Sequence, residues 1–315
     1  MEIAAAFTTQ ENTGINDVLE SMDNHNAYKP QFTVIENSNG TLNKTISLKN
    51  GKLDKSSNAN MYQGNAKTFD ASDFAQFEKI INSLTPYQAI TLGITSFPEV
   101  EINPDDFRRT KDNFHFREKP TLFYIDIDGS DFGVDETIAL FYQALPEFEN
   151  KTYYKRVSSS GNIKGYEKDN YHLWFLADDG SHIPELKKII QSRLWHSGLG
   201  KIKVSSSGQQ LVRNTLGIDD AVFSPERLVF EANPTLEDGL ELNEARNCIV
   251  RGSDDIVKIS TLEFIDYKHL VTQLKQAGIG EVDKKIELNP VYKDLSKNEK
   301  NAIRRGVIPQ NLMLH

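Results

Sequence analysis

Asp126 and Asp128 are the residues whose type and spacing first suggest chemistry. They close the run 122–130, Leu-Phe-Tyr-Ile-Asp-Ile-Asp-Gly-Ser, an apolar segment that stops at a Gly-Ser turn. Side chains alternate along a strand, so Phe123, Ile125 and Ile127 point to one face and Tyr124, Asp126 and Asp128 to the other. The two carboxylates then stand roughly 6–7 Å apart at their Cα atoms. That suits shared coordination of a hard divalent cation through oxygen. A strand that ends in a solvated Asp-Gly turn has the same pattern, so the rest of the chain must decide between the two.

Two further groups fall on similar elements. The run 171–176, Tyr-His-Leu-Trp-Phe-Leu, puts His172 and Trp174 on one face and Tyr171, Leu173 and Phe175 on the other. Asp219 and Asp220 precede the run 222–231, Val-Phe-Ser-Pro-Glu-Arg-Leu-Val-Phe-Glu, whose second half reads as a strand. If these strands are neighbours, three carboxylates and a histidine converge at one end of a sheet. Such a set fits two-metal phosphoryl transfer, in which two cations about 3.5–4 Å apart stabilise the attacking and leaving oxygens. Mg2+ or Mn2+ suits all-carboxylate ligation. Histidine can donate a ring N–H to phosphate, and Lys203 and Arg213 can add positive charge. Each member has a plainer reading: a structural strand histidine, an Asp-capped turn, Ser-rich loops at 158–160 and 205–207.

The elements that must hold these groups alternate between the two periodicities. Residues 32–48 read as a hairpin around the turn cluster at 37–40, a second Asn-Gly turn follows at 50–51, and 53–66 read as loop. Ser72 or Asp70 can cap a helix over 73–84, with Phe74, Phe77, Ile80, Ile81 and Leu84 as its stripe. A short strand at 89–93, a long connection over 98–119, a helix over 135–145, a strand over 153–158, a helix over 183–196 and strands at 201–204 and 211–213 complete the central part. The order suggests an α+β fold with helices on one side of the sheet. Residues 1–30 read as a polar arm with a short helix at 15–22, 31–236 as the catalytic domain, and 237–315 as a charged helical segment. Helices over 262–277 and 294–305 are the clearest there.

At 315 residues with 38% hydrophobic and 26% charged content, the composition is that of a globular protein. No apolar run approaches the ~18 residues of a membrane span, and the first residues lack a signal-peptide pattern. Cys248 is the only cysteine, which excludes an intrachain disulfide and a cysteine-rich zinc site. A reducing, cytoplasmic compartment is the expectation. The net charge of −9 argues against a generally basic nucleic-acid coat, yet residues 151–213 hold eleven Lys/Arg against five Asp/Glu. Within that basic window Lys155, Arg156, Lys203 and Arg213 are candidate template or phosphate contacts; Trp174 and Tyr166 read first as core or surface packing and second as platforms to stack a base.

Taken together, the run 124–129, the Ser158-Ser-Ser-Gly turn followed by Tyr171-His-Leu-Trp-Phe, and the Ile218-Asp-Asp…Ser-Pro-Glu-Arg-Leu-Val-Phe-Glu run resemble the archaeo-eukaryotic primase superfamily. The nearest likeness is to the primase-polymerases of phages, plasmids and other mobile elements. The resemblance spans about 32–236. It implies an RRM-like catalytic sheet with an N-terminal αβ unit and template-directed nucleotidyl transfer. Asp126, Asp128 and Asp219 would be catalytic metal ligands, with Asp220 as the alternative third. His172 and Ser160 would bind the incoming nucleotide. The implied partners are a single-stranded or primed DNA template, deoxy- or ribonucleoside triphosphates, and a helicase on the same or another chain; no P-loop of the form Gly-x-x-x-x-Gly-Lys-Ser/Thr occurs in the sequence. Asn170 stands where the family has a small hydroxyl residue, two before the histidine. Two other readings compete. One is a manganese-dependent glycosyltransferase using the Asp-x-Asp motif alone. The other is a non-catalytic replication initiator or single-strand-binding module built on the same sheet.

Overall fold

The computed structural model describes residues 29–57, 61–205, 208–244 and 246–278. The chain is α+β. Its first part runs β1 (Gln31–Asn37), β2 (Lys44–Lys49), β3 (Lys52–Ser57), β4 (Gly64–Asp70), α1 (Phe74–Asn82), β5 (Gln88–Thr91) and β6 (Glu99–Ile102). These form an antiparallel sheet of order β5-β1-β4-β6 and a separate β2–β3 hairpin. The expected hairpin over 32–48 is therefore wrong in its partner. β1 pairs with β4 and β5, while β2 turns through Asn50-Gly51, both at positive φ, to pair with β3. A two-residue Asn-Gly turn matches strand twist better than the longer Asn37–Gly40 cluster. The expected loop over 53–66 contains β3 and the start of β4. β3 is polar, with only Leu53 half-buried, so it carries no alternation to read. Helix α1 is capped by Asp73 rather than Ser72 or Asp70: its Oδ1 accepts from Gln76 N at 2.7 Å.

The second part runs β7 (Thr121–Ile127), α2 (Val134–Ala144), β8 (Tyr153–Val157), β9 (Tyr171–Ala177), α3 (Ile183–His196), a hairpin β10 (Gly200–Val204) and β11 (Gln210–Asn214), then β12 (Ile218–Asp219). Its sheet has the order β12-β7-β9-β8. β7 and β9 pair antiparallel over their full length, from Thr121↔Ala177 to Ile127↔Tyr171. The odd-numbered face of β7 and β9 meets the helical layer: Phe123 packs on Phe148 and Phe175, and Phe148 on Phe141 of α2. The even face meets α1, where Phe77 lies 4.8 Å from Trp174 and 5.1 Å from Phe32 between ring centroids. Residues 32 to 262 thus share one apolar cluster.

The segment after 236 departs from the helical expectation. Following β13 (Thr235–Leu236), which lies parallel to β2, β14 (Cys248–Val250) pairs with β8 and β15 (Ile256–Val257) runs parallel to the end of β9. These additions make the sheet six-stranded. Two or three apolar residues between charged neighbours are too few to show a period, and an open sheet edge recruits them. Only α4 (Lys268–Ala277) is an α-helix among the described residues beyond 236. The readings at 15–22 and 294–305 lie outside the described residues.

Candidate active site

The antiparallel registers draw four residues from four strands into one row. Asp219 on β12 is opposite Asp126 on β7, Asp126 is opposite His172 on β9, and His172 is opposite Arg156 on β8. Cross-strand partners share a face, so this row crosses the even face at the end of the sheet left open beside α1. Asp128 lies beyond β7, at the turn through Gly129, and is exposed.

Asp126 has one ion-pair partner among the described residues, His172, whose Nε2 is 3.6 Å from its Oδ1. Burial pushes the Asp126 carboxyl above the usual carboxylate range. His172 and Lys44 pull it down, and the charges of Asp219 and Asp128 push it up. Asp128 is oriented by Asn170, whose Nδ2 donates to its Oδ1 at 2.5 Å. Asp219 is nearly half exposed, accepts from Ala221 N at 2.9 Å, and faces Arg227 at 3.7 Å. Asp220 instead pairs with Lys187 of α3 at 3.5 Å. Of the two adjacent acids, Asp219 is the one in the row.

The other end of the row is held by Glu231, for which the sequence reading assigned no role. Its carboxylate is 2% exposed, binds His172 Nδ1 through one oxygen, and binds Arg156 Nε through the other at 2.5 Å. Burial alone would raise the Glu231 carboxyl; His172 and then Arg156 outweigh it and hold it down at about 2. Burial alone would lower His172; Glu231 and Asp126 outweigh it and raise the imidazole above its ordinary value. The signal available in sequence was the acid ending an apolar run, and it became legible only once Ile90 and Val229 were seen to bridge. That bridge, with Gly93 N donating to Pro225 O at 2.9 Å, lays 225–229 along β5. The expected strand over the second half of 222–231 is reduced to this single bridge.

Several expected contacts lie elsewhere. Arg156 is 7% exposed. Besides Glu231 it donates to Asn82 Oδ1 at 2.7 Å and to the Glu231 carbonyl at 2.9 Å, so its guanidinium is spent internally rather than offered to a template. Lys155 pairs with Leu173 and its ammonium sits over the Tyr171 ring at 5.4 Å. It is on the face opposite the row, because neighbours in a strand cannot share a face. Lys203 and Arg213 are on the β10–β11 hairpin, and among the described residues neither forms a hydrogen bond or ion pair with Asp126, Asp128 or Asp219. Arg213 NH1 donates to the Val212 carbonyl at 2.9 Å. Ser160 is buried in the turn after β8 and makes no hydrogen bond to the row. Trp174 is fully buried against Phe77 and Tyr124, a core residue rather than a base platform; Tyr166 is half-buried. Besides Arg227 on Asp219, the nearby cations are Lys44, which acts on Asp126 and His172, and Lys55, which acts with Asp128; both lie on the β2–β3 hairpin. Lys44 lowers both Asp126 and His172. Lys55 is an exposed residue whose amine is nonetheless pushed down, first by desolvation, then by Lys168, with Asp128 pulling the other way. Lys44 falls in the stretch read as a hairpin and Lys55 in the one read as loop, and neither reading pointed to them.

The donor set suits a hard divalent cation. The charges of Asp219 and Asp128 raise the charge cost of Asp126, and neither Asp126 nor Asp128 is ion-paired to a lysine or arginine among the described residues. Among those residues no group of three or more His, Cys, Asp or Glu side chains is placed to hold a metal ion, so the carboxylates are not gathered into a coordination shell. No protein-family model, curated protein or solved structure matches the chain. Function therefore has to be argued from the row itself.

Proposed function

We propose that the chain is a metal-dependent nucleotidyltransferase of the primase-polymerase kind, extending or initiating a strand on a DNA template. The observation that carries this reading is the register Asp219↔Asp126↔His172. It makes neighbours of three residues far apart in sequence whose types and order are those of the implied motifs. The order β12-β7-β9-β8, with α2 and α3 between its members, supports an RRM-like catalytic sheet, and β1–β6 with α1 support the additional N-terminal αβ unit.

In this reading Asp126, Asp128 and Asp219 hold Mg2+ or Mn2+. The bound cations would polarise the α-phosphate and stabilise the attacking and leaving oxygens. A primer or initiating-nucleotide 3′-hydroxyl attacks the α-phosphorus of a nucleoside triphosphate, the bond to the bridging oxygen breaks, and pyrophosphate leaves. His172 contributes from Nε2. Its distance to Asp126 is longer than a hydrogen bond, and Nδ1 is anchored on Glu231. A protonated ring therefore has an N–H to donate to a phosphate oxygen. Asn170 keeps Asp128 aimed, and Lys44 and Lys55 add positive charge where the phosphates gather. A glycosyltransferase reading uses Asp126 and Asp128 and leaves Asp219 and His172 without work.

The test is primer extension and de novo priming with deoxy- and ribonucleotides in Mg2+ or Mn2+. Incorporation is expected from the unmodified protein, and Asp126→Asn and Asp128→Asn should reduce it to background with melting temperature unchanged or raised. Incorporation that survives both substitutions, or its absence on every template, overturns the catalytic reading. DNA binding retained without any incorporation identifies the non-catalytic module instead.

A further inference from the structure

Three lysines come together where the β2–β3 hairpin approaches the loop between β8 and β9. In the hairpin, Lys44 is opposite Ser57 and Ile46 is opposite Lys55. Cross-strand partners share a face and alternate residues return to it, so Lys44, Ile46 and Lys55 point one way. Lys44 and Lys55 are then diagonal neighbours, about 7–8 Å apart. Ile46 is fully buried, so theirs is the face turned toward the body of the protein. Lys49, Lys52 and Asp54 are on the other face. Lys168 comes from the loop. It lies two residues before Asn170, whose amide holds Asp128, and its backbone N donates to the Gly161 carbonyl at 3.0 Å. After desolvation, Lys168 and Lys44 both push the Lys55 amine down, with Asp128 acting against them.

This positive charge has no internal partner. The lysines that form ion pairs among the described residues are Lys67, Lys151, Lys164, Lys187 and Lys201; Lys44, Lys55 and Lys168 are not among them. The acids nearest in sequence are engaged elsewhere or turned away. Glu167 accepts from Asn243 Nδ2 at 2.5 Å and from Gly165 N at 3.0 Å, Asp169 faces Arg246 at 3.7 Å, and Asp54 is on the opposite face of the hairpin. Like charges gathered in this way raise the energy of the folded chain, and such arrangements cluster at functional sites. An anion relieves them. A lysine ammonium is a point charge with three donors on a flexible stem, and it takes phosphate oxygens readily. The neighbouring Asp128 narrows the choice further. A chain of phosphates has oxygens to spare for a divalent cation held by carboxylates, whereas a lone carboxylate ligand has not.

We propose that Lys44, Lys55 and Lys168 form a two-sided phosphate clamp, the hairpin on one side and the 162–169 loop on the other, that takes a chain of phosphates beside Asp128, from the tail of a nucleotide or from the backbone of a strand. The clamp deepens the transfer reading and rests on it for its role; the binding of phosphate does not.

The experiment titrates the full chain by calorimetry, in EDTA so that no divalent cation takes part. The probes are inorganic tripolyphosphate, deoxyadenosine, dAMP, dATP and a short oligothymidylate. Affinity is expected to rise from deoxyadenosine through dAMP to dATP. Lys55→Ala and Lys168→Ala should each weaken the phosphate-rich probes by roughly tenfold, the loss of one charged hydrogen bond. Lys49→Ala and Lys52→Ala, which remove equal charge from the far face, should leave binding within about twofold. Lysine-dependent binding of tripolyphosphate and dATP supports a nucleotide tail as the source; lysine-dependent binding of the oligothymidylate alone supports a strand. The proposal fails if no phosphate-bearing probe binds, or if Lys55→Ala and Lys168→Ala bind as the parent does. It fails equally if Lys49→Ala and Lys52→Ala weaken binding as much, since the hairpin is then a general anion surface. Lysine-dependent binding in a protein that incorporates nothing would leave the clamp standing while the transfer reading falls.

Discussion

Glu231 is the residue on which the His172–Arg156 end of the row depends. One carboxylate satisfies two cationic groups in a place that excludes water, so removing it leaves Arg156 buried without a counter-charge and His172 with only Asp126, at 3.6 Å. Breaking a buried pair from one side costs about 3–5 kcal/mol, and Glu231→Ala should lose an amount in that range in denaturant unfolding. The pH dependence follows from the two directions of shift. The Glu231 carboxyl is lowered from 4.5 to about 2 in the folded chain, so its contribution is present above 4.5 and is lost as pH falls through about 2. His172 is raised from 6.5, so its contribution is present below 6.5 and is lost as pH rises through the elevated value. Unfolding free energy should therefore be greatest between about 4.5 and 6.5 from this pair, and Glu231→Gln should flatten the acid limb. An acid limb as steep in Glu231→Gln as in the parent would refute the assignment.

At the scale of elements, the short strand β12 is placed by its approach to the turn after β7. Gly217 has φ +68°, and a Cβ there would lie 2.5 Å from the Asp128 carbonyl oxygen and 2.7 Å from Ser130 N. Asp128 N donates to the Gly217 carbonyl at 2.9 Å, and Asn214 closes the loop by bonding both N and O of Ile218 at 3.0 Å. Gly217→Ala should cost about 1–3 kcal/mol from backbone conformation alone. The clash should also part Asp219 from Asp126, and a displacement of about 1 Å at a reacting centre can cost 10²-fold in rate. Melting and primer extension on the same sample check both; wild-type incorporation by Gly217→Ala would mean that the register of β12 is not needed. β12 also marks where the sequence stops being legible. β7, β9, α2 and α3 could be read because each has a buried face long enough to show its period, and Asp126, Asp128 and His172 came with them; Asp219 was singled out by the acidic pair before the 222–231 run, not by its strand. β12, β14 and β15 are two or three residues long and exist only because a sheet edge accepts them. The choice between two Asn-containing turns, and hence the partner of β1, depends on pairings made far along the chain. Glu231 and Asn170 are polar residues whose roles appear only when a strand from elsewhere arrives opposite them.

At the scale of the whole molecule, the two sheets are joined through α1. Phe77 meets Phe32 on the N-terminal side and Tyr154 and Trp174 on the side of the β7–β9 sheet, with centroid separations of 5.1, 6.3 and 4.8 Å. The same helix reaches the row through polar groups: Tyr154 OH donates to Glu78 at 3.1 Å and Arg156 to Asn82 at 2.7 Å. A second, smaller cluster around Ile35, Leu42, Ile102 and Phe114 also takes in Leu228 from the segment laid along β5, and it is too limited to make the N-terminal unit independent of the larger core. A chain of this length would ordinarily unfold in more than one step. Here the shared core predicts that the N-terminal unit and the β7–β9 sheet unfold together. Phe77→Ala should remove about 3–5 kcal/mol and lower the denaturant midpoint seen by far-UV circular dichroism and the one seen by tryptophan fluorescence by the same amount, since Trp174 sits against Phe77 itself. If the substitution splits the two midpoints, the units hold themselves up separately, and α1 is a bridge between domains rather than the centre of one.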